Sequence, residues 1–91
     1  MWSGDLVWAI NFTREAEKGL ARIDRQEAKR IVSYLRTRVA TNPRQWGKAL
    51  QGELSGLWRY RVGDYRLVCS INDAEVNVLV LRIAHRKELY R

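Results

Sequence analysis

The chain has 91 residues, 46% of them apolar and 10% aromatic, a composition that supports a packed core and excludes wholesale disorder. Seventeen Lys and Arg against ten Asp and Glu leave a formal net charge of +7, which favours a polyanionic partner, nucleic acid being the commonest. One Cys excludes an internal disulfide framework, and no apolar run approaches the length of a membrane span.

The start, MWSGDLVWAINF, has neither the basic region nor the apolar stretch of a signal peptide. The expectation is one soluble, cytoplasmic domain over residues 1–91 with no membrane contact. "LVWAINF", residues 6–12, has the β-branched and aromatic character of a strand. Thr13 can cap a short helix over 14–22, with Ala16, Leu20 and Ile23 turned inward. Asp24 and Glu27 have the spacing of a capping box for a second helix. Along that helix Ala28, Ile31, Val32, Leu35 and Val39 form one apolar stripe, and Arg25, Lys29, Arg36 and Arg38 fall largely outside it. Pro43 disfavours helical geometry at Asn42 and stops it.

Residues 44–56, "RQWGKALQGELSG", show no period and read as a connection. Three strands follow, over 57–62, 65–71 and 75–83. The last, "VNVLVLRI", is so continuously apolar that it is expected to be covered on both faces. The predicted fold is α+β in the order β-α-α-β-β-β, two N-terminal helices packed on a mainly antiparallel four-stranded sheet.

Gly63-Asp64 separates the first two of these strands, and a two-residue loop with Gly first fits a type II′ turn. That turn sets Val62 opposite Tyr65, Arg61 opposite Arg66, Tyr60 opposite Leu67, Arg59 opposite Val68 and Trp58 opposite Cys69. One face then carries Trp58, Tyr60, Val62, Tyr65, Leu67 and Cys69 toward the core, and the other carries Arg59, Arg61 and Arg66. Like charges opposed across a ladder destabilise it, by roughly 0.2–1 kcal/mol if they mirror favourable pairs. An anion over that face removes the repulsion, and guanidinium forks match phosphate oxygens. The plainer reading is a solvated face whose arginines splay apart or pair with Asp64, Asp73 or Glu75. If the tail "AHRKELYR" turns back along the sheet edge, Arg86 and Tyr90 join the same face. The plainer reading of His85 is a structural histidine at the strand end, partnered on the opposite sheet face from Arg86.

The stretches "LSGLWRYRVGDYRLV" and "VLVLRIAHRKELYR" resemble the RelE/ParE superfamily of bacterial toxins, in particular its RelE-like branch. The resemblance spans essentially the whole chain. It implies a small ribosome-dependent ribonuclease that cuts mRNA in the A site without a metal or other cofactor, and whose partner is a neutralising antitoxin. It also implies site residues: Arg59 and Arg61 for the two basic side chains before the turn, Arg66 for the arginine after it, Arg86 for the basic residue after the last strand, and Tyr90 for the C-terminal tyrosine. The best-known members carry lysines where this chain has Arg59 and Arg61. Arginine stays protonated at any working pH, so neither can be a general base.

Such chemistry needs alignment, removal of the 2′-hydroxyl proton, stabilisation of a phosphorane and protonation of the leaving oxygen. Arg61 and Arg66 suit charge stabilisation, and Arg59 and Arg86 suit grip on flanking phosphates. Tyr90 and His85 are the two candidates for the base, and both remain open on sequence alone. One His and one Cys cannot make a typical zinc site, and Cys69 reads as packing. Two other functions share this sequence pattern: a ParE-like inhibitor of DNA gyrase acting through the helix pair, and an RNA-binding module without catalysis.

Overall fold

The computed structural model describes residues 7–89, so Leu6 of the predicted first strand and the site candidate Tyr90 lie outside the described residues. The elements are β1 (Ala9–Phe12), α1 (Arg14–Arg22), α2 (Arg25–Tyr34), β2 (Lys48–Ala49), β3 (Leu57–Val62), β4 (Tyr65–Asn72), β5 (Asn77–His85) and α3 (Arg86–Leu89). They build one sheet in the order β1-β5-β4-β3-β2, in which only β1 and β5 run parallel. The α+β class is as expected, with five strands in place of four. The fifth, β2, is a two-residue edge strand paired with β3 through Lys48–Arg59 and Ala49–Trp58.

Local chemistry starts both long helices. The Thr13 hydroxyl accepts the Ala16 N–H at 3.1 Å and donates to the Leu81 carbonyl at 2.8 Å, so one side chain caps α1 and ties it to β5. The Asp24 carboxylate accepts the Gln26 N–H at 3.0 Å at the start of α2. A π-helical turn, Leu35–Val39, continues α2 to Ala40, just ahead of Pro43.

The predicted apolar stripe divides. Ile31, Leu35 and Val39 are fully buried, whereas Ala28 and Val32 are half-buried and border a shallow groove with Arg25, Lys29 and Arg36. Positions 31, 35 and 39 repeat every four residues toward the sheet, and 28 and 32 repeat one row over, at its margin.

From the sheet, Tyr60, Val62, Leu67, Cys69, Val78, Val80 and Ile83 complete the core. Val80 and Ile83 stand three apart, which strict alternation would send to opposite faces. A bulge corrects this: Val68 pairs with Arg82 and Cys69 with Val80, so Leu81 is the extra residue. The expectation that the apolar β5 run is covered on both faces does not hold. Val78 and Val80 are fully buried, but Leu79 between them is only half-buried. An antiparallel sheet can keep one face toward water, and that face carries the arginines.

Tyr60 is the largest fully buried side chain among the described residues, and its hydroxyl donates to the Pro43 carbonyl at 2.7 Å. Gly47 lies flat against its ring: a Cβ there would stand 2.8 Å from the Tyr60 Cε2. The ring is held by its hydrogen bond and cannot retreat. Gly47→Ala is therefore expected to lower stability by about 1–3 kcal/mol. Urea unfolding checks this, and an unchanged midpoint would refute it.

Candidate functional site

The β3–β4 hairpin has the register expected from its turn, with Val62–Tyr65, Arg61–Arg66, Tyr60–Leu67, Arg59–Val68 and Trp58–Cys69 all paired. Gly63 has φ of +59°, as the first position of a type II′ turn requires. A side chain there would also crowd Arg30, whose Nη1 lies 3.1 Å from the position of a Cβ. Beyond Arg59 no described strand pairs with the outer edge of β3, so Arg61 is exposed at the sheet margin.

The end of β5 returns to this hairpin. The Arg86 N–H donates to the Asp64 carbonyl at 2.7 Å, and its guanidinium lies 3.9 Å from the Asp64 carboxylate. Arg61, Gly63, Asp64, Arg66 and Arg86 together line a cleft of about 240 Å³. Among the described residues the lining carries three guanidiniums and one carboxylate, a positive balance suited to an anion, and guanidinium forks match phosphate oxygens. The cross-strand rows extend the basic surface: Lys48 stands opposite Arg59, and Val68 on the other side of Arg59 pairs with Arg82. Arg82 approaches Glu15 to 3.8 Å.

The family model described as "ParE toxin of type II toxin-antitoxin system, parDE" matches residues 10–90. The chain belongs to the ParE toxin family, within the RelE/ParE superfamily. Among curated relatives, Toxin RelE of Mycobacterium tuberculosis is 34% identical over 89 residues, covering 98% of this chain and 92% of that protein. Toxin RelG of the same organism is 31% identical over 86 residues, covering 94% and 99%. The toxin–antitoxin complex RelBE2 of Mycobacterium tuberculosis contains a chain of TM-score 0.85 and 30% identity, with 89% of this chain and 93% of that one covered.

In this ParE-family chain the cleft gathers Arg61, Arg66 and Arg86 but not every residue singled out from sequence. Arg59 is half-buried one row away, between Lys48 and Val68. His85 is not brought to the cleft. It pairs with Tyr65 on the helix side of the sheet, edge-on to that ring at 5.2 Å, and its Nδ1 accepts the Lys87 N–H at 3.1 Å. With Glu88 accepting the His85 N–H at 2.9 Å, these bonds shape the turn into α3.

Asp64 reads from the sequence only as a turn residue or counterion, and Lys48 and Arg82 are not singled out there. The turn position of Asp64 beside three arginines was the available signal. Lys48 had none, because a two-residue strand shows no period. Among the described residues no group of three His, Cys, Asp or Glu side chains is placed to hold a metal ion.

Cys69 is fully buried, and that burial pushes its thiol from an ordinary 9.0 up to about 12, which suits packing and not nucleophilic attack. The folded chain keeps this proton to higher pH than the unfolded chain does. The resulting stability is complete below about pH 9 and is lost as the pH rises toward 12. Cys69→Ala is accordingly expected to flatten the alkaline fall in melting temperature over that window. Parallel curves for parent and variant would rule this out.

Proposed function

We propose that this type II toxin is a ribosome-dependent endoribonuclease that cuts mRNA in the A site and is neutralised by a cognate antitoxin. The observation that carries the reading is the cleft of Arg61, Arg66 and Arg86 on the open side of the hairpin. The names of the curated relatives, RelE and RelG, support the RelE-like branch, and the RelBE2 complex supports an antitoxin partner. No helix among the described residues is long and apolar enough to cross a membrane.

In this mechanism the scissile phosphate lies between Arg61 and Arg66, and the adjacent 2′-oxygen attacks it in line with the departing 5′-oxygen. Charge grows on the non-bridging oxygens, where two preset guanidiniums stabilise it more than they stabilise the ground state. Asp64 holds Arg86 beside them, where its charge stabilises the departing 5′-oxygen, which takes its proton from water. Arg59, with Lys48, receives a flanking phosphate. Tyr90, four residues after Arg86 in the sequence, is assigned as the proton acceptor, a step it performs as the phenolate. His85 is assigned a positioning role, because its ring faces Tyr65 across the sheet from the cleft.

Translating ribosomes treated with the purified toxin, with RNA ends mapped by primer extension, test the reading. New ends within A-site codons are expected, and intact message overturns it. The same assay checks His85: His85→Ala should lose less than the roughly 10²-fold that general acid–base catalysis supplies. A loss of that size or greater would return His85 to the chemistry. The ParE description of the family supports a second reading, inhibition of DNA gyrase. A supercoiling assay separates it, since only that reading expects a block.

A further inference from the structure

A second basic cleft adjoins the first on the α2 side of the hairpin. It encloses about 360 Å³, and Arg30, Tyr34, Arg38, Arg61 and Gly63 are among the residues lining it. No carboxylate is among them. Glu27 stands nearby, 3.9 Å from Arg30, whose side chain is still 62% exposed. Arg38 is held between two rings, 5.7 Å from the Tyr34 centroid and 5.0 Å from that of Trp46. Trp46 is one of three large apolar side chains exposed among the described residues. Three guanidiniums line the cleft, and beside Arg38 stand Tyr34, half-buried against the core, and the exposed Trp46.

The two clefts share Arg61 and Gly63, so they form one basic track around the hairpin tip. A ligand filling both must carry anionic groups in regular succession, as a nucleic-acid strand does. Rings beside guanidiniums are also the combination on which unpaired bases stack. We infer that the α2-side cleft is a second phosphate subsite, in which Arg30 and Arg38 take the RNA strand on one side of the scissile phosphate and Trp46 offers a stacking surface. The inference rests on RNA being the substrate, as proposed above, and adds where the strand runs.

The test uses fluorescein-labelled 2′-O-methyl oligonucleotides, which lack the attacking hydroxyl, as a trinucleotide and a heptanucleotide, with binding read by anisotropy across a salt series. Arg30→Gln/Arg38→Gln should weaken the heptanucleotide by about tenfold or more and leave the trinucleotide unchanged. The slope of log affinity against log salt for the heptanucleotide should fall by about 1.4, as two single-strand phosphate contacts require. Arg30→Lys/Arg38→Lys should restore most of that slope. Both pairs of substitutions are at exposed positions, and a melting curve confirms folding.

Equal losses for both lengths, an unchanged slope, or a wild-type protein that does not prefer the longer strand would each overturn the subsite. So would a Gln variant that loses antitoxin affinity while keeping heptanucleotide affinity, which would give the cleft to an acidic segment of the antitoxin. The ribosome cleavage assay is independent of these readouts. Cleavage without length dependence removes the subsite alone, and length-dependent binding without cleavage removes the catalytic reading alone.

Discussion

Replacing Arg61 and Arg66 together by alanine is expected to lower ribosome-dependent mRNA cleavage by about 10³-fold or more, with the fold retained. The two side chains face each other across the β3–β4 ladder and line the same cleft as Arg86. In the proposed mechanism each aims a delocalised positive charge at oxygens whose charge increases only as the phosphorane forms. Loss of a single preset donor of this kind typically costs about 10²–10³-fold, and partners acting on one group are not additive. Stability should change little, because Arg61 is exposed and relief of the like-charge opposition, roughly 0.2–1 kcal/mol, offsets the contacts that the pair gives up. Single-turnover cleavage beside a melting curve separates the effects. Undiminished cleavage would remove the arginines from the chemistry, and a melting point several degrees lower would show them to be structural.

The second large effect concerns the scaffold under the site. Tyr60→Ala is expected to cost about 3–5 kcal/mol, a large part of the stability of a domain this size. Tyr60 lies between Arg59 and Arg61 on β3, fully buried, with its hydroxyl on the Pro43 carbonyl and its ring against Gly47. Its truncation leaves a cavity and an unpaired carbonyl together. Tyr60→Phe isolates the second part and should cost about 1–3 kcal/mol, because the Pro43 carbonyl loses its donor in a buried setting. Burial also raises the Tyr60 hydroxyl well above its ordinary pKa of 10.0, so it remains a donor throughout the neutral range. Urea titrations of the three proteins check both numbers. A Tyr60→Ala midpoint equal to the parent's would show that β3 is anchored by other contacts.

The hairpin was legible because its determinants are local. A two-residue Gly-Asp loop sets the register, and a period of two then assigns every side chain from Trp58 to Cys69 to a face. Thr13 and Asp24 were legible as caps for the same reason, since each satisfies N–H groups two or three residues away. Other features depend on partners distant in sequence. The β2 strand exists only because β3 offers Lys48 and Ala49 a ladder. The bulge at Leu81 answers to the spacing of Val80 and Ile83 over the helices, which no short window reveals. Ala28 and Val32 share a periodicity with the core residues of the helix, yet only the row of Ile31, Leu35 and Val39 is fully buried.

The sequence by itself determined that Arg61 and Arg66 stand side by side on the face away from the core, because alternation and turn chemistry operate within a few residues. Only the tertiary structure decided what joins them. The end of β5 brings Arg86 to Asp64, His85 is turned to the helix side, and α2 with the turn that continues it brings Arg30 and Arg38 against the hairpin tip. Those approaches are long-range packing choices, made by which faces the core must bury and carrying no local signature.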